Sequence, residues 1–212
     1  MRIFTTNDVP TDKIVFGKLK KGLDTYMMST YYSDENGSLS KMFVQTPKMV
    51  LHSEPVTAGV VQPFVTFTSE DTTISGMLKS VEDYVLQELK SNKDDWFVNK
   101  GIDDLFLENG LTSTVLKNNV YRFRLMEDAQ VYDGTKAPVQ LKDVTKGDVF
   151  KSIVQLTGLW FTPSRWGVTW KVMQMKSPSR KQTIEYKDYM FDDEDCEEFD
   201  DDDYALTVPP NV

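Results

Sequence analysis

A run of acidic residues near the C-terminus limits how much of this chain can fold into a domain. Residues 188–204, DYMFDDEDCEEFDDDDY, contain eleven carboxylates and no basic residue in seventeen positions. A segment with so much charge of one sign and so few aliphatic residues cannot bury enough apolar surface to fold alone. The sequence therefore predicts one folded domain over residues 1–187 and a disordered, acidic C-terminal tail over residues 188–212.

Charge is also distributed unevenly within the predicted domain. The chain carries 24 basic and 33 acidic residues, so removing the eleven tail acids leaves residues 1–187 with a net charge of +2. Residues 117–187 contain 13 basic and 6 acidic side chains, whereas residues 51–116 contain 4 and 11. A basic third therefore precedes the acidic tail, and a polyanionic partner is compatible with the folded part despite the acidic average.

Cysteine content and hydropathy indicate the compartment. The single cysteine, Cys196, lies in the tail, so no disulfide can form within the chain, and a reducing, intracellular setting is favoured. The N-terminus lacks the apolar core of a signal peptide, and no stretch approaches the ~20 apolar residues of a membrane span. We expect an intracellular protein that does not enter membranes.

Hydrophobic periodicity predicts a mainly β domain interrupted by a helix. Residues 13–46 read as short strands with a turn at 34–38, and PFVTFTSE is another alternating run. Residues 76–91 change to helical spacing, with Leu78, Val81, Val85 and Leu89 on one stripe. Residues 92–114 are polar and rich in turn formers, and we expect them to be a surface excursion.

Strand patterns resume after residue 117. In NNVYRFRLMED, alternation places Tyr121, Phe123 and Leu125 on one face, with Arg122 and Arg124 on the other. Residues 148–157 are compatible with a strand or a short helix. The stretch GLWFTPSRWGVTWKVMQMK predicts two strands joined around residues 163–167.

The residue types needed for most enzymatic sites are missing from the sequence. His52 is the single histidine, so a histidine-containing triad would need the distant Cys196, and no zinc set of His and Cys can be built. The glycines are scattered singly, without a phosphate-binding loop. The carboxylate pairs at 94–95 and 103–104 are read as solvated surface groups. We therefore expect no catalytic activity, no metal site and no cofactor.

Aromatic residues interleaved with basic residues point to nucleic acid. Unpaired bases stack on aromatic rings, with ~1–3 kcal/mol per base, while Lys and Arg contact the phosphates. Single-stranded nucleic acid uses both contacts, and neither reads sequence. The candidate contacts are Arg122, Arg124, Arg165, Trp166, Lys171, Lys176, Trp160, Lys18 and Lys20.

Each of these residues also has an ordinary structural interpretation. Tyr121, Phe123 and Trp170 alternate with apolar neighbours and fit the core. Arg122 and Arg124 fit a solvated strand face equally well. Arg165 and Trp166 lie in a turn flanked by Pro163 and Gly167, where burial is harder, so we expect them to be accessible.

The acidic tail suggests a competitor for the same basic surface. A tethered segment with eleven negative charges is present at the domain at a millimolar effective concentration and competes there with phosphates. Once displaced, it can bind a basic partner through Phe191, Phe199 and Tyr204 as apolar anchors. A tail that serves solubility alone remains the alternative.

Two segments carry a resemblance to a known family. FVQTPKM at 43–49 and VFKSIVQLTGLWFTPSRWGVTWKVMQMK at 149–176, with the helix between them, resemble the replicative single-stranded DNA-binding proteins of short-tailed phages, in the branch found in large eukaryotic DNA viruses. The resemblance implies an OB-fold, a five-stranded Greek-key β-barrel with an inserted helix, and a basic, aromatic DNA cleft. It also implies an acidic tail that contacts replication proteins such as a polymerase or helicase. In the phage members the tail ends in an aromatic residue, whereas here ALTVPPNV follows Tyr204, so Phe199 or Tyr204 would substitute.

The function expected from the sequence is therefore binding of single-stranded DNA without sequence preference, in viral DNA replication, recombination and repair. The expected location is the viral replication site of the host cell, in the nucleus or the cytoplasm. The alternative is an acidic-tailed interaction protein, a chaperone or DNA mimic that does not bind nucleic acid. A structural β-sandwich is a further rival. The sequence leaves monomer and homodimer open.

Overall fold

A computed structural model describes residues 2–22, 25–58, 62–98, 100 and 102–177. The predicted boundary between residues 187 and 188 and the whole tail, with Phe191, Phe199 and Tyr204, lie outside these residues. The strands are β1 (Ile3–Thr5), β2 (Ile14–Lys21), β3 (Tyr26–Ser33), β4 (Leu39–Ser40), β5 (Met42–Gln45), β6 (Met49–Val56), β7 (Phe64–Thr68), β8 (Val120–Tyr132), β9 (Pro138–Val139), β10 (Val149–Phe161) and β11 (Trp166–Lys176). The α-helices are α1 (Thr73–Trp96) and α2 (Asp104–Asn109), both between β7 and β8.

Five of the strands close into a barrel. β6 pairs antiparallel with β7, and β7 pairs antiparallel with β8. β8 runs parallel to β11, which pairs antiparallel with β10. Two register pairs, Val149 with Val50 and Phe150 with Met49, then join β10 to β6 and close the ring. This five-stranded Greek-key barrel with an inserted helix is an OB-fold and confirms the expected fold class.

The barrel interior is filled by the inward-facing residues of each strand. Tyr121, Phe123 and Leu125 are buried on β8, as the alternation predicted. They meet Val65 and Phe67 from the neighbouring strand β7. The remaining strands add their own buried residues: Val154 and Leu156 from β10, and Val168, Trp170 and Val172 from β11. One continuous apolar core results.

Strand β10 holds the barrel and the N-terminal strands together. One edge pairs with β11 along almost its whole length. The other edge pairs in succession with β6, β5 and β3. Beyond β3 lies β2, so the two form a hairpin attached to the barrel through β10. The segment that the sequence left open between strand and helix is therefore the central strand of the molecule.

The change of partner along β10 depends on a glycine. The ladder to β11 shifts register between Leu156 and Gly158. Gly158 has φ of 154°, and a Cβ atom there would lie 2.3 Å from the carbonyl oxygen of Met28. A side chain at this position would therefore push β3 away from β10.

Helix α1 packs one stripe onto the barrel. Leu78, Val81, Val85 and Leu89 are fully buried, as the helical spacing predicted. The helix extends beyond the predicted 76–91 at both ends, and Ile74 continues the buried stripe before the predicted start. Within the described part of the chain, no helix is both long and apolar enough to cross a membrane.

The expectation of a surface excursion over residues 92–114 is wrong. The segment contains the last turn of α1 and the whole of α2, and Phe97 and Leu107 are buried in the core. Asp103 caps α2 by accepting a hydrogen bond of 2.7 Å from the backbone N–H of Phe106. An ion pair of 2.6 Å joins Lys93 on α1 to Asp104 on α2. The sequence prediction missed Phe97 and Leu107 because each is an isolated apolar residue in a mostly polar segment.

A buried carboxylate fixes α1 to the segment before β8. Glu82, on α1, accepts hydrogen bonds from the backbone N–H of Thr114 at 2.8 Å and from the Ser113 hydroxyl at 2.7 Å. Burial raises the pKa of Glu82, although the two hydrogen bonds act in the opposite direction. The ionised form is therefore favoured less in the folded chain than in the unfolded chain.

This shift predicts a pH-dependent effect of Glu82→Gln. With a raised pKa, the folded state holds a proton that the unfolded state has released, so the wild type loses stability as pH rises from about 4.3 through the raised folded value. Glutamine does not titrate. Urea unfolding between about pH 4 and pH 8 should show the variant gaining stability relative to wild type as pH rises. A difference that stays constant over this range would contradict the assignment.

Candidate nucleic-acid interface

A groove of about 850 Å³ crosses the outer surface of the barrel. It runs over β7, β8, β11 and β10 and reaches Met27 on β3. Its lining also includes Gln62, before β7, and Thr162 and Arg165 from the β10–β11 turn. OB-folds bind oligonucleotides on the face of their second and third strands, between the loops that join strands one to two and four to five. β7, β8, Gln62 and the β10–β11 turn are those elements here.

The groove is lined by four positively charged side chains. Arg122 and Arg124 come from β8, Lys171 from β11 and Arg165 from the β10–β11 turn. The described residues that line it include no aspartate or glutamate. The pairing registers explain part of this, because Phe64, Arg124 and Lys171 lie directly opposite one another on adjacent strands. The groove is therefore a concentrated source of positive potential.

Arg122 is held over an aromatic ring. Its guanidinium carbon lies 3.9 Å from the centre of the Phe64 ring, in cation–π geometry. Stacking limits the orientations of the guanidinium group while its N–H groups stay available to an anion. Phe64 is half-buried and forms part of the groove wall.

Arg124 carries a charge that forms no ion pair with any described carboxylate. Its side chain is half-buried, and burial, followed by repulsion from Arg122, lowers its pKa. Neither of the two ion pairs found among the described residues involves it. Because a partly desolvated cation without a counter-ion raises the free energy of the fold, an anion bound in the groove would relieve that cost.

Trp160 supplies an aromatic surface at the edge of the groove. It is half-buried and lies opposite Gly167 on β11 and Met27 on β3. A Cβ atom on Gly167 would lie 2.8 Å from the Trp160 ring. The absence of a side chain at residue 167 therefore lets the indole lie against the β11 backbone.

Trp166 corrects the expectation of an accessible tryptophan in the turn. It is fully buried, its ring stacks on Phe161 with centroids 6.3 Å apart, and its Nε1–H donates to the Leu107 carbonyl at 2.9 Å. β11 begins at this residue, and alternation turns the ring inward beneath α2. Trp170 is also buried, as expected for a core residue.

The remaining lysine candidates lie outside the groove lining. Lys176 is at the far end of β11, opposite Lys151 on β10. Lys18 and Lys20 are exposed on β2, and Lys20 lies opposite Met27. The structure thus brings together Arg122, Arg124, Arg165, Lys171 and Trp160.

Phe64 and Met27 in the groove lining, and Gly167 against the Trp160 ring, were not among the candidates. Phe64 had a signal, because alternation in PFVTFTSE places it on the face opposite Val65 and Phe67. Met27 and Gly167 had none, since their positions follow from pairing between strands that are far apart in sequence.

Among the described residues, neither a metal-ligand cluster nor a second groove provides a competing site. No group of three or more His, Cys, Asp or Glu side chains in that part of the chain is placed to hold a metal ion. A second groove, of about 780 Å³, has Lys48 and Lys151 facing Glu70 and Asp71. Its charges cancel, so it has less attraction for a polyanion than the first groove.

The packing of Trp160 predicts the effect of Gly167→Ala. The added methyl group must displace the indole or the strand, so we expect a loss of about 1–3 kcal/mol in urea unfolding and greater acrylamide quenching of Trp160. Gly76→Ala is the matched control, since Gly76 is an exposed helical residue with no atom within 4 Å of the added Cβ. It should add about 1 kcal/mol. Equal effects of the two substitutions would contradict this packing.

Comparison with known proteins gives one family and several solved structures. The single-stranded DNA-binding protein of bacteriophage Enc34 in complex with ssDNA has 9% identity and a TM-score of 0.42, over 79% of this chain and 97% of that chain. The single-stranded DNA-binding protein gp2.5 of bacteriophage T7 has 8% identity and a TM-score of 0.45, over 70% and 98%. No curated protein matches the sequence. A family model described as a family of unknown function, DUF5871, matches residues 65–193. Because that match spans more than half of the chain, this protein belongs to the DUF5871 family.

Proposed function

We propose that this protein binds single-stranded DNA in the groove without sequence preference. The observation that carries the proposal is a groove on the OB-fold binding face with four cationic side chains and no carboxylate among its described lining residues. A polyanion would neutralise these charges and release its condensed counterions, which is the main source of affinity for phosphate chains.

The aromatic surfaces in the groove favour unpaired bases over a duplex. Trp160 and Phe64 border the same groove as the four cations. In a duplex, each base is stacked on its neighbours, so its flat faces are not available to a protein ring. In a single strand, those faces can stack on aromatic side chains. Rings and cations side by side therefore fit single-stranded DNA.

The roles we assign follow from these positions. Arg122, Arg124, Lys171 and Arg165 contact phosphates, and Trp160 stacks on a base. Lys176, Lys18 and Lys20 are further contacts for a strand that extends beyond the groove. None of these roles involves breaking a covalent bond, so we propose a binding protein rather than an enzyme.

We further propose that the protein serves viral DNA replication, recombination and repair inside the host cell, at a replication site in the nucleus or cytoplasm. The resemblance of residues 149–176 to viral replicative proteins supports this role. The acidic tail would compete with DNA for the groove and, when displaced, recruit a polymerase or helicase through Phe191, Phe199 and Tyr204. The excess of eleven carboxylates next to a basic domain supports this competition.

Tryptophan fluorescence should report binding chiefly through Trp160. Titration with an oligothymidylate of about 16 nucleotides, at the upper end of OB-fold site sizes, should quench emission. Trp160→Phe should remove most of the quenching, since Trp166 and Trp170 are buried. Trp96→Phe is the control, because Trp96 is half-buried against Phe16 and outside the groove lining. Absence of quenching and of any salt-dependent affinity would exclude the proposed function.

The substitution Arg124→Gln tests whether the groove binds DNA through electrostatic contacts with phosphates. Removing one phosphate contact should weaken binding and reduce the slope of log affinity against log salt by about 0.7. Lys79→Gln, on the exposed face of α1, removes the same charge at a distance and should leave the slope unchanged. Equal slopes for wild type and Arg124→Gln would show that Arg124 does not contact phosphate.

Deletion of residues 188–212 should tighten DNA binding by about tenfold or more at low salt, because it removes a tethered competitor. The same deletion should weaken association with a replication polymerase or helicase. A chain of full length with the eleven carboxylates changed to amides separates charge from length and should behave like the deletion. Unchanged affinity in both variants would reduce the tail to a solubility segment.

A further inference from the structure

The outer face of the β2–β3 hairpin continues the groove beyond the barrel. Met27 on β3 lies opposite Trp160 on β10 and opposite Lys20 on β2. Tyr31 lies two pleats further along β3, opposite Val15. Directly paired residues, and residues an even number apart on a strand, share one face. We call Val15, Lys20, Met27 and Tyr31 the hairpin face.

The hairpin face is unusually apolar for an exposed surface. Met27 is 53% exposed, Tyr31 38% and Val15 36%. Val15 and Tyr31 are paired across the hairpin, Ser29 lies between Tyr31 and Met27, and Met27 also lines the groove, so the hairpin face adjoins the groove. Exposed large apolar side chains next to a binding groove are candidates for contact with its ligand.

Tyr31 and Trp160 each lie beside a glycine of a neighbouring strand. An ideal Cβ atom on Gly17, in the neighbouring strand β2, would lie 3.5 Å from Cε2 of Tyr31. Trp160 lies closer to Gly167 of its neighbouring strand, where an added Cβ atom would be 2.8 Å from the ring. The distance at Gly17 is an ordinary van der Waals contact, so the Tyr31 ring lies beside β2 without needing the glycine, and part of each ring stays accessible.

The charge of the hairpin selects the kind of ligand. β2 and β3 contain three lysines, Lys18, Lys20 and Lys21, and no carboxylate. A ligand that fits must combine negative charges with flat apolar groups. Single-stranded DNA has this chemistry, and its binding groove adjoins the hairpin face.

We infer that the hairpin face is a second part of the single-stranded DNA site, where Met27 and Tyr31 contact bases and Lys20 contacts a phosphate. The inference rests on the proposed function and extends the site to residues outside the barrel and before residues 65–193, which match the family model.

The position of Tyr31 makes the contribution of the hairpin face to DNA affinity depend on the length of the DNA. Neighbouring strands lie about 4.8 Å apart, so Met27 is beside Trp160, whereas Tyr31 is about 13 Å further along β3. A strand of a few nucleotides held in the groove does not reach Tyr31. A longer strand that crosses Trp160 does.

Tyr31→Ala in the full-length chain tests the inference with oligothymidylates of about 4 and about 16 nucleotides, the limits of OB-fold site sizes. Affinity for the longer oligomer should fall at least about fivefold, the loss of one stacked base, while affinity for the shorter one stays unchanged. Leu105→Ala is the matched control, because Leu105 is 67% exposed on α2 and outside the hairpin face. It should change neither affinity.

The substitution Lys20→Gln tests the proposed contact between Lys20 and a phosphate. The salt slope for the longer oligomer should fall by about 0.7, and the slope for the shorter oligomer should not change. Lys79→Gln again serves as the control. Both hairpin substitutions are at exposed positions, and circular dichroism checks that the fold is retained.

Three results would overturn the inference. The first is unchanged affinity of Tyr31→Ala for the longer oligomer while the wild type binds both lengths, which leaves the groove proposal standing. The second is an equal loss of affinity of Tyr31→Ala for the shorter and the longer oligomer. The third is a change in sedimentation mass of Tyr31→Ala without a change in DNA affinity, which would make the hairpin face a contact between copies. Failure of the wild type to bind either oligomer would instead overturn the proposed function.

Discussion

The structure depends on the pairing of β10 with different strands along its two edges. One edge is occupied by β11, and the other is shared by β6, β5 and β3. A strand can change partners in this way only if it bends, and the register shifts and Gly158 supply the bend. The same bend places Trp160, which still pairs with Gly167 of β11, beside Met27 of β3. The groove therefore has its aromatic edge where the barrel and the N-terminal hairpin meet.

The positive charges gathered in the groove repel one another and destabilise the folded state. Arg124 is half-buried beside Arg122, and the described chain offers it no carboxylate partner. The apolar core beneath, from Phe123 on β8 to Val172 on β11, supplies stability that does not depend on these side chains. A ligand that neutralises the groove therefore stabilises the protein as a whole, since it binds the folded state and not the unfolded chain.

The sequence predicted those features that follow from local pattern. Alternation identified the buried face of β8, and helical spacing identified the stripe of α1, because each depends on neighbours a few residues apart. The same alternation placed Arg122 and Arg124 on the outer face. The sequence failed where distant segments meet. Trp166 lies in a stretch that resembles an exposed turn, yet α2, about sixty residues earlier, covers it and accepts its indole hydrogen bond.

Some residues of the groove could be predicted from composition, whereas others depend on how the strands pair. All four groove cations and Trp160 were identified from the basic and aromatic C-terminal third, because the high density of such residues there can be read directly from the sequence. Met27 was not, because a methionine in a run such as YMMSTYY has the same local pattern whether it faces solvent or core. Its neighbour Met28 is 1% exposed. The register of β3 against β10 decides between them, and that register is a property of the folded chain.

The closure of the barrel has a consequence for how the molecule opens. Two residue pairs join β10 to β6, whereas ten join β10 to β11. Local opening is cheapest where few hydrogen bonds must break, so amide protons near Val50 should exchange with solvent sooner than those in the middle of β11. Val50 belongs to the second groove, and the cationic groove lies over other strand pairs. The barrel can therefore open locally between β6 and β10 while the strands under the cationic groove stay paired.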